Sequence, residues 1–158
     1  MKNNLKNYII SVLIALGVGG LSAFATRNNM DLYRDIITPP LSPPSILFPI
    51  VWTLLFVLMG ISAAMIYNDT AVNKQEKESA LFTYSLSLFV NFFWSIIFFN
   101  NRAFLVAFIW LLLLLFLIVR TVMKYYKINP TAAVLQIPYL LWVIFAGYLT
   151  FSIWILNM

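Results

Sequence analysis

The sequence predicts an all-α fold, an integral membrane bundle of five transmembrane helices within a single domain, residues 1–158. Of its residues, 63% are hydrophobic and only 9% are charged, whereas soluble domains carry about 25% charged residues. Five stretches without Asp, Glu, Lys or Arg approach or exceed the roughly 20 residues that a helix needs to cross hydrocarbon. Runs such as WLLLLLFLIV, residues 110–119, lack the alternation of a membrane β-strand, so helices are the expected spans.

The first predicted span covers residues 8–26 and contains small residues at four-residue spacing, Ala15, Gly19 and Ala23. The second span has a similar pair, Gly60 and Ala64. Small residues let membrane helices approach closely. We therefore expect these positions to contact either a neighbouring helix of the same bundle or a second copy of the chain.

Residues 27–45 connect the first two spans and differ from an ordinary linker. They contain four prolines within six residues, Pro39, Pro40, Pro43 and Pro44, and proline fixes φ and favours an extended path. They also carry apolar side chains that a fully solvated loop does not need, namely Tyr33, Ile36 and Leu41. We predict a rigid lid over one mouth of the bundle, with a plain connector as the alternative.

The second and third predicted spans, residues 46–67 and 80–99, each carry an aromatic face. At helical spacing the second span places together Trp52, Phe56 and Met59. The third places together Tyr84, Ser87, Asn91, Trp94 and Phe98. An asparagine in hydrocarbon needs a hydrogen-bond partner, so this face is expected to point into the bundle, toward a packed helix or a ligand. The polar stretch between the two spans, residues 68–79, is predicted to be a solvated linker.

The fourth predicted span, residues 103–123, includes Arg120, and the fifth covers residues 131–156. The fifth span repeats the aromatic pattern with Tyr139, Trp142, Ala146 and Leu149 or Thr150. Pro138 frees a backbone carbonyl one turn earlier, which either a neighbouring helix satisfies or a cavity exposes. The remaining tryptophans, Trp110 and Trp154, are assigned to the interfacial aromatic belt.

The composition excludes several classes of function. The chain has no cysteine and no histidine, so disulfides, thiolate nucleophiles, imidazole bases and sulfur-bound or imidazole-bound metals are absent, and no metal site is predicted. No charged residue occupies the centre of a span, which counts against ion-coupled transport. The ten Lys and Arg residues are scattered, so no nucleic-acid surface is expected.

The distribution of Lys and Arg predicts the orientation in the membrane. One side holds seven basic residues, Lys2, Lys6, Lys74, Lys77, Arg120, Lys124 and Lys127. The other side holds three, Arg27, Arg34 and Arg102. This difference predicts a cytoplasmic N-terminus. The three tryptophan-bearing faces also predict a shared cavity for a large, flat, mostly apolar ligand.

Three ordered motifs resemble those of the TspO/MBR family of tryptophan-rich sensory and translocator proteins. They are TPPLSPPSILFPIVWTLLFVLMG at 38–60, NFFWSIIFF at 91–99 and PYLLWVIFAGYL at 138–149. The resemblance implies a bacterial-type member in a bacterial cell membrane that binds porphyrins such as protoporphyrin IX, with no further cofactor, and that helps to regulate tetrapyrrole levels. It also implies a homodimer and binding of synthetic isoquinoline or benzodiazepine ligands. Carried over by motif, the ligand-binding residues are Tyr33, Trp52, Phe56, Asn91, Trp94, Tyr139, Trp142 and Ala146.

The chain also departs from the family pattern. Leu32, Thr38 and Thr150 replace residues that many members share, which changes the expected contacts of the lid and of one polar group. No basic residue follows Lys127, so the sterol-recognition pattern at the end of the last helix is absent.

These features support one leading hypothesis and two alternatives. The leading hypothesis is a membrane-embedded porphyrin-binding protein; without histidine, haem iron finds no imidazole ligand, so metal-free porphyrin is expected to be held by stacking and shape. The first alternative is a light- and oxygen-dependent catalyst of porphyrin breakdown in which Trp52 and Trp142 act as oxidisable donors. The second is a small-molecule transporter, although the spans contain no evident coupling charge.

Overall fold

A computed structural model describes residues 2–158, with side chains from residue 4 onward, and confirms the all-α membrane bundle. Five of its helices are long and apolar enough to cross a membrane. The helices are α1 Lys2–Thr26, α2 Leu32–Asp35, α3 Leu47–Asn68, α4 Lys74–Ser95, α5 Phe104–Ile128 and α6 Pro130–Leu156. A 3₁₀ turn, Arg27–Asn29, follows α1, and a π-helical segment, Ile96–Asn100, extends α4.

The third spanning helix begins six residues earlier than predicted, so most of the expected linker 68–79 is helical. The side chain of Asn73 accepts a hydrogen bond of 2.9 Å from the backbone N–H of Glu76 and caps α4. Lys74 and Glu78 then form an i,i+4 pair at 3.6 Å. The prediction of a linker here was wrong because charged residues in the first turns of α4 were read as loop.

The bundle has a fixed order of neighbours. Helix α1 packs against α3 and α4, α3 packs against α6, and α5 packs against α4 and α6. A buried polar link joins α3 to α6, since Ser62 donates to the carbonyl of Ala132 at 2.7 Å and Gln136 donates to Ser62 at 3.2 Å. Trp110, expected in the interfacial belt, donates from α5 to the carbonyl of Val90 in α4 at 2.7 Å.

The small residues of α1 and α3 serve contacts within one bundle. A Cβ atom on Gly60 would lie 2.9 Å from the backbone nitrogen of Val12, and one on Gly19 would overlap the ring of Phe56. Ala15 is fully buried. Of the two packing alternatives, the structure therefore assigns Gly19 and Gly60 to neighbouring helices of the same chain, and the homodimer stays a prediction that these positions do not support.

The π-helical segment lies at the end of α4 that is nearest the lid. Its wider turn buries Phe98 and brings Asn100 to the end of α1, where the Asn100 amide donates to the carbonyl of Ala25 at 3.0 Å. Pro138 of α6 lies on the exposed face of its helix and does not line the internal cavity described below.

Candidate functional site

An internal cavity of about 140 Å³ lies among α1, α3, α4 and α6 beneath the segment that connects α1 to α3. No residue of α5 lines it. Seven of the eight predicted ligand-binding residues line it: Tyr33, Trp52, Phe56, Asn91, Trp94, Trp142 and Ala146. Side chains that are up to 113 residues apart in the sequence therefore meet in one space, from Tyr33 to Ala146.

Tyr139, the eighth predicted residue, lies outside the cavity wall. It is 1% exposed, and its ring contacts Trp52 edge-on at a centroid distance of 6.2 Å. Three residues along a helix correspond to a rotation of about 300°, so Tyr139 is turned about 60° from Trp142 and faces α3 instead of the cavity. Tyr139 supports the Trp52 indole from behind.

The wall of the cavity is built from paired aromatic rings. Trp52 stacks on Phe56 at 5.6 Å and 30°. Phe48, which the sequence analysis did not single out, contacts Trp142 edge-on at 6.0 Å. Gly19 allows the Phe56 ring to lie directly on the α1 backbone. These flat apolar surfaces suit a ligand with an extended π-system.

Two neutral polar side chains, Asn91 and Trp94, line the cavity. The buried Nε1 of Trp94 has no hydrogen-bond partner among the described residues, and Asn91 is 5% exposed. A buried group left unpaired costs about 1–3 kcal/mol. Among the described residues that line the cavity none is charged. The site can therefore donate a hydrogen bond to a neutral polar atom of a ligand, or accept one from it.

The segment from residue 27 to 46 forms a lid over the cavity. Leu32 of α2 is buried, and Tyr33 contacts Phe48 at 5.3 Å and Phe98 at 6.2 Å. Burial raises the pKa of Tyr33 to about 12, so the side chain is a neutral phenol at ordinary pH. The lid is thus anchored by apolar contacts as well as by backbone geometry.

The far half of the lid is fastened to α6 by hydrogen bonds. Asn157, just after α6, accepts from the Ile37 N–H at 2.9 Å and donates to the Ile37 carbonyl at 2.9 Å. Tyr148 donates to the carbonyl of Pro40 at 2.9 Å. We call this set of contacts the lid latch. The segment is therefore fastened to the bundle at Ile37 and Pro40, and its role as a lid stays a prediction.

The three arginines on the lid side all have partners outside the cavity. Arg27 lies 3.8 Å over the ring of Phe24. Arg34 pairs with Asp31 at 3.4 Å and Arg102 with Asp35 at 3.2 Å. A ligand carboxylate at the cavity mouth would have to draw one of these cations away from its present partner.

The sequence hypothesis placed the pocket among the first, second, third and fifth spans, which includes α1, but it named none of the α1 residues that line the cavity. Gly19, Ser22, Ala23 and Thr26 form one wall of the cavity. Their spacing of i, i+3, i+4 and i+7 is the signal that could have found them. It went unused because small residues in a spanning helix are equally typical of helix packing.

The cavity is smaller than the 300–1,000 Å³ typical of sites for drug-sized ligands. Entry of a large flat ligand therefore requires the lid or the rings beneath it to move outward. The lid latch and the Tyr33 contacts are the interactions that such a movement breaks.

Comparison with known proteins identifies similar chains. The profile of the TspO/MBR family matches residues 10–155. The chain is 34% identical to the tryptophan-rich protein TspO of Chlorobaculum tepidum, over 94% of this chain and 92% of that protein. It is 31% identical to the tryptophan-rich protein TspO of Archaeoglobus fulgidus, over 98% and 99% of the two chains. It is 32% identical to the translocator protein of Bos taurus, over 91% and 85%.

Proposed function

Since the chain belongs to the TspO/MBR family, we propose that it is a membrane-embedded protein that binds porphyrins, such as protoporphyrin IX, and so helps to regulate tetrapyrrole levels. The observation that carries this proposal is the uncharged aromatic cavity, which Asn91 and Trp94 line and in which the Trp94 Nε1 is unpaired. Stacked rings supply the surface for a macrocycle, and the two polar groups supply hydrogen bonds to its heteroatoms.

The position of the ligand follows from the charges. The macrocycle occupies the apolar interior, and its carboxylates lie at the mouth beside Arg34 and Arg102, because burying an unpaired carboxylate costs several kcal/mol. Arg34 and Arg102 then separate from their present partners, Asp31 and Asp35, and pair with the carboxylates of the ligand. We propose the same interior, once widened, as the site for synthetic isoquinoline and benzodiazepine ligands.

A titration of protoporphyrin IX against the tryptophan fluorescence of the purified protein tests the proposal. Ala146→Phe places a ring in the cavity and is expected to weaken binding at least tenfold. Gly147→Phe is the matched control, because Gly147 lies next in the sequence and has open space around its Cβ direction. Equal affinities in both variants and the unaltered protein would refute binding in this cavity.

A second candidate function is light- and oxygen-dependent porphyrin breakdown. Trp52 and Trp142 both line the cavity, so both indoles would lie beside an excited porphyrin, with dioxygen as the oxidant. Illumination in air with Soret absorption as the readout separates this activity from binding. If Trp52→Phe and Trp142→Phe bleach the porphyrin as fast as the unaltered protein does, the catalytic candidate fails.

We place the protein in a bacterial cell membrane with its N-terminus in the cytoplasm, as the seven-to-three distribution of basic residues favours. The lid then faces the opposite side. Because the chain has no cysteine, single cysteines introduced at exposed Lys6 and Asp31 report each side without background. In intact cells we expect an impermeant thiol reagent to label the cysteine introduced at Asp31 and not the one introduced at Lys6. Labelling of the Lys6 site alone would mean that the protein has the opposite orientation.

A further inference from the structure

One face of α5 changes from apolar to cationic along its length. Its first part presents exposed apolar side chains, Val106, Ile109, Leu113 and Phe116. Its last turns present Arg120, Lys124 and Lys127. At 100° per residue these seven positions lie within an arc of about 80°. A single stripe on the outer surface of the bundle is therefore apolar first and cationic afterwards.

The apolar part of the stripe begins near the lid-side end of α5, which starts at Phe104. Ten residues separate Val106 from Phe116, which corresponds to about 15 Å of helix. The three cations follow within the next three turns, at the end of the bundle opposite the lid.

The positive charge of this stripe is not balanced by the protein. Among residues 4–158 no carboxylate lies within 4 Å of the charged atoms of Arg120, Lys124 or Lys127. Lys124 is held by neutral acceptors only, at 2.8 Å from the Ser79 hydroxyl and 2.8 Å from the Thr83 hydroxyl. These bonds fix the ammonium between α4 and α5.

The neighbouring basic residues on α4, Lys74 and Lys77, have other partners. Lys74 pairs with Glu78 at 3.6 Å. Lys77 donates to the carbonyl of Asp69 at 2.8 Å, at the end of α3. Lys77 is thus tied to the end of α3, whereas the three cations of α5 lie along one face of their helix.

A cleft of about 380 Å³ lies beside the cationic end of the stripe. Lys124, Lys127 and Ser79 line it, and Glu76 contributes a carboxylate to the α4 side. Glu76 repels an anion from that wall, so a phosphate is favoured on the α5 side, beside Lys124 and Lys127. Arg120 lies one turn earlier on the same face of α5.

We propose that this face of α5 binds a phospholipid with an anionic headgroup. The phosphate lies among Arg120, Lys124 and Lys127, and an acyl chain lies along the apolar part of the stripe. Each basic residue near an anionic lipid strengthens binding roughly fivefold, so three supply about a hundredfold preference over a zwitterionic lipid.

Native mass spectrometry of the full chain in detergent tests this proposal. The protein is offered phosphatidylglycerol and phosphatidylcholine with identical acyl chains. We expect retention of phosphatidylglycerol with a preference of about a hundredfold, and the same preference in excess inorganic phosphate. Equal retention of the two lipids overturns the proposal, as does release of phosphatidylglycerol by inorganic phosphate, which indicates a site for free phosphate.

Variants locate the site. Arg120→Gln with Lys127→Gln changes two exposed side chains, keeps the Lys124 contacts, and is expected to reduce the preference about 25-fold. Lys6→Gln with Lys74→Gln is the matched control, because it removes the same charge from the same end of the bundle. A control that loses as much preference as the α5 variant shows a general charge effect and overturns the assignment to α5.

Discussion

Asn91 and Trp94 are the residues that most clearly separate a binding cavity from a packed core. Membrane helices commonly satisfy a buried asparagine across a helix interface. Here the buried Trp94 indole N–H has no partner among the described residues, and the Asn91 side chain lines the same cavity. A polar group left unpaired lowers the stability of the ligand-free protein and raises the affinity for a matching ligand.

Asn91→Leu is therefore expected to stabilise the free protein and weaken porphyrin binding. Asn91 is 5% exposed, and replacing its amide with an apolar side chain there is worth about 1 kcal/mol, a rise of about 2–4 °C in the unfolding midpoint for a chain of this size. Ser87→Ala is the control on the same helix face, because Ser87 already donates to the Tyr84 carbonyl at 2.6 Å. The control should lose stability and keep its affinity; the same pattern in Asn91→Leu would assign Asn91 a structural role.

Gly19→Ala tests whether the shape of the cavity depends on α1. The added methyl group would overlap the Phe56 ring, so the ring must move into the cavity. Overpacking of this kind costs about 1–3 kcal/mol, and we expect a loss of porphyrin affinity of about tenfold in a fluorescence titration. Gly20→Ala meets open space and should bind normally; a normal affinity in Gly19→Ala would show that Phe56 can yield elsewhere.

At the level of elements, the lid is held by a few contacts that can be counted. The latch joins Ile37 to Asn157 across 120 residues, and Tyr148 adds a bond to Pro40. Leu41, beside this anchor, is 80% exposed with φ of 68°, a left-handed conformation uncommon for a leucine. The lid therefore turns sharply between its two anchored parts.

Asn157→Ala is expected to open the lid more often without unfolding the bundle. It removes the two hydrogen bonds to Ile37 and a third to the Ile153 carbonyl. Each of the two lid bonds is worth about 0.5–1.5 kcal/mol, so the amides of α2 should exchange with deuterium about tenfold faster, and porphyrin should associate faster. Asn28→Ala is the control, because that exposed side chain of the same loop has no hydrogen-bond partner among the described residues. Unchanged exchange in α2 would mean that the apolar contacts of Leu32 and Tyr33 hold the lid alone.

Contact between α1 and α3 depends on Gly60. A Cβ atom there would lie 3.0 Å from the Ser11 carbonyl and closer still to the Val12 backbone, and backbone cannot rotate away as a side chain can. We expect Gly60→Ala to lower the free energy of unfolding by about 1–3 kcal/mol. Thermal unfolding in detergent measures the effect against Gly147→Ala, which meets open space. Equal midpoints would mean that α1 and α3 separate without cost.

At the level of the whole molecule, the number and type of spans could be predicted because hydrophobic length is a local property of the sequence. The helix ends could not be placed as well. The start of α4 depends on the Asn73 cap. The residue types after Ser95 do not indicate that the segment there is π-helical. These features arise from hydrogen bonds that hydropathy does not record.

Part of the cavity could be predicted because local sequence patterns identify some of its lining residues. Helical spacing and family motifs together indicated Trp52, Asn91 and Trp94. Spacing places Tyr139 about 60° from Trp142 on α6, but it did not show which of the two faces the cavity, and no local pattern could connect Ile37 with Asn157. The α1 residues in the wall were not named because they are small and also suit helix packing.

The central claim is that a porphyrin occupies the cavity beneath the lid. The five tryptophans offer a direct test, because Trp52, Trp94 and Trp142 line the cavity, whereas Trp110 donates to the Val90 carbonyl and Trp154 lies elsewhere on the bundle. In a ¹⁵N–¹H spectrum of the indole groups, titration with protoporphyrin IX should shift the three cavity signals strongly through the ring current of the macrocycle. The signals of Trp110 and Trp154 should stay in place. Shifts confined to Trp110 and Trp154, or equal small shifts at all five, would contradict the claim.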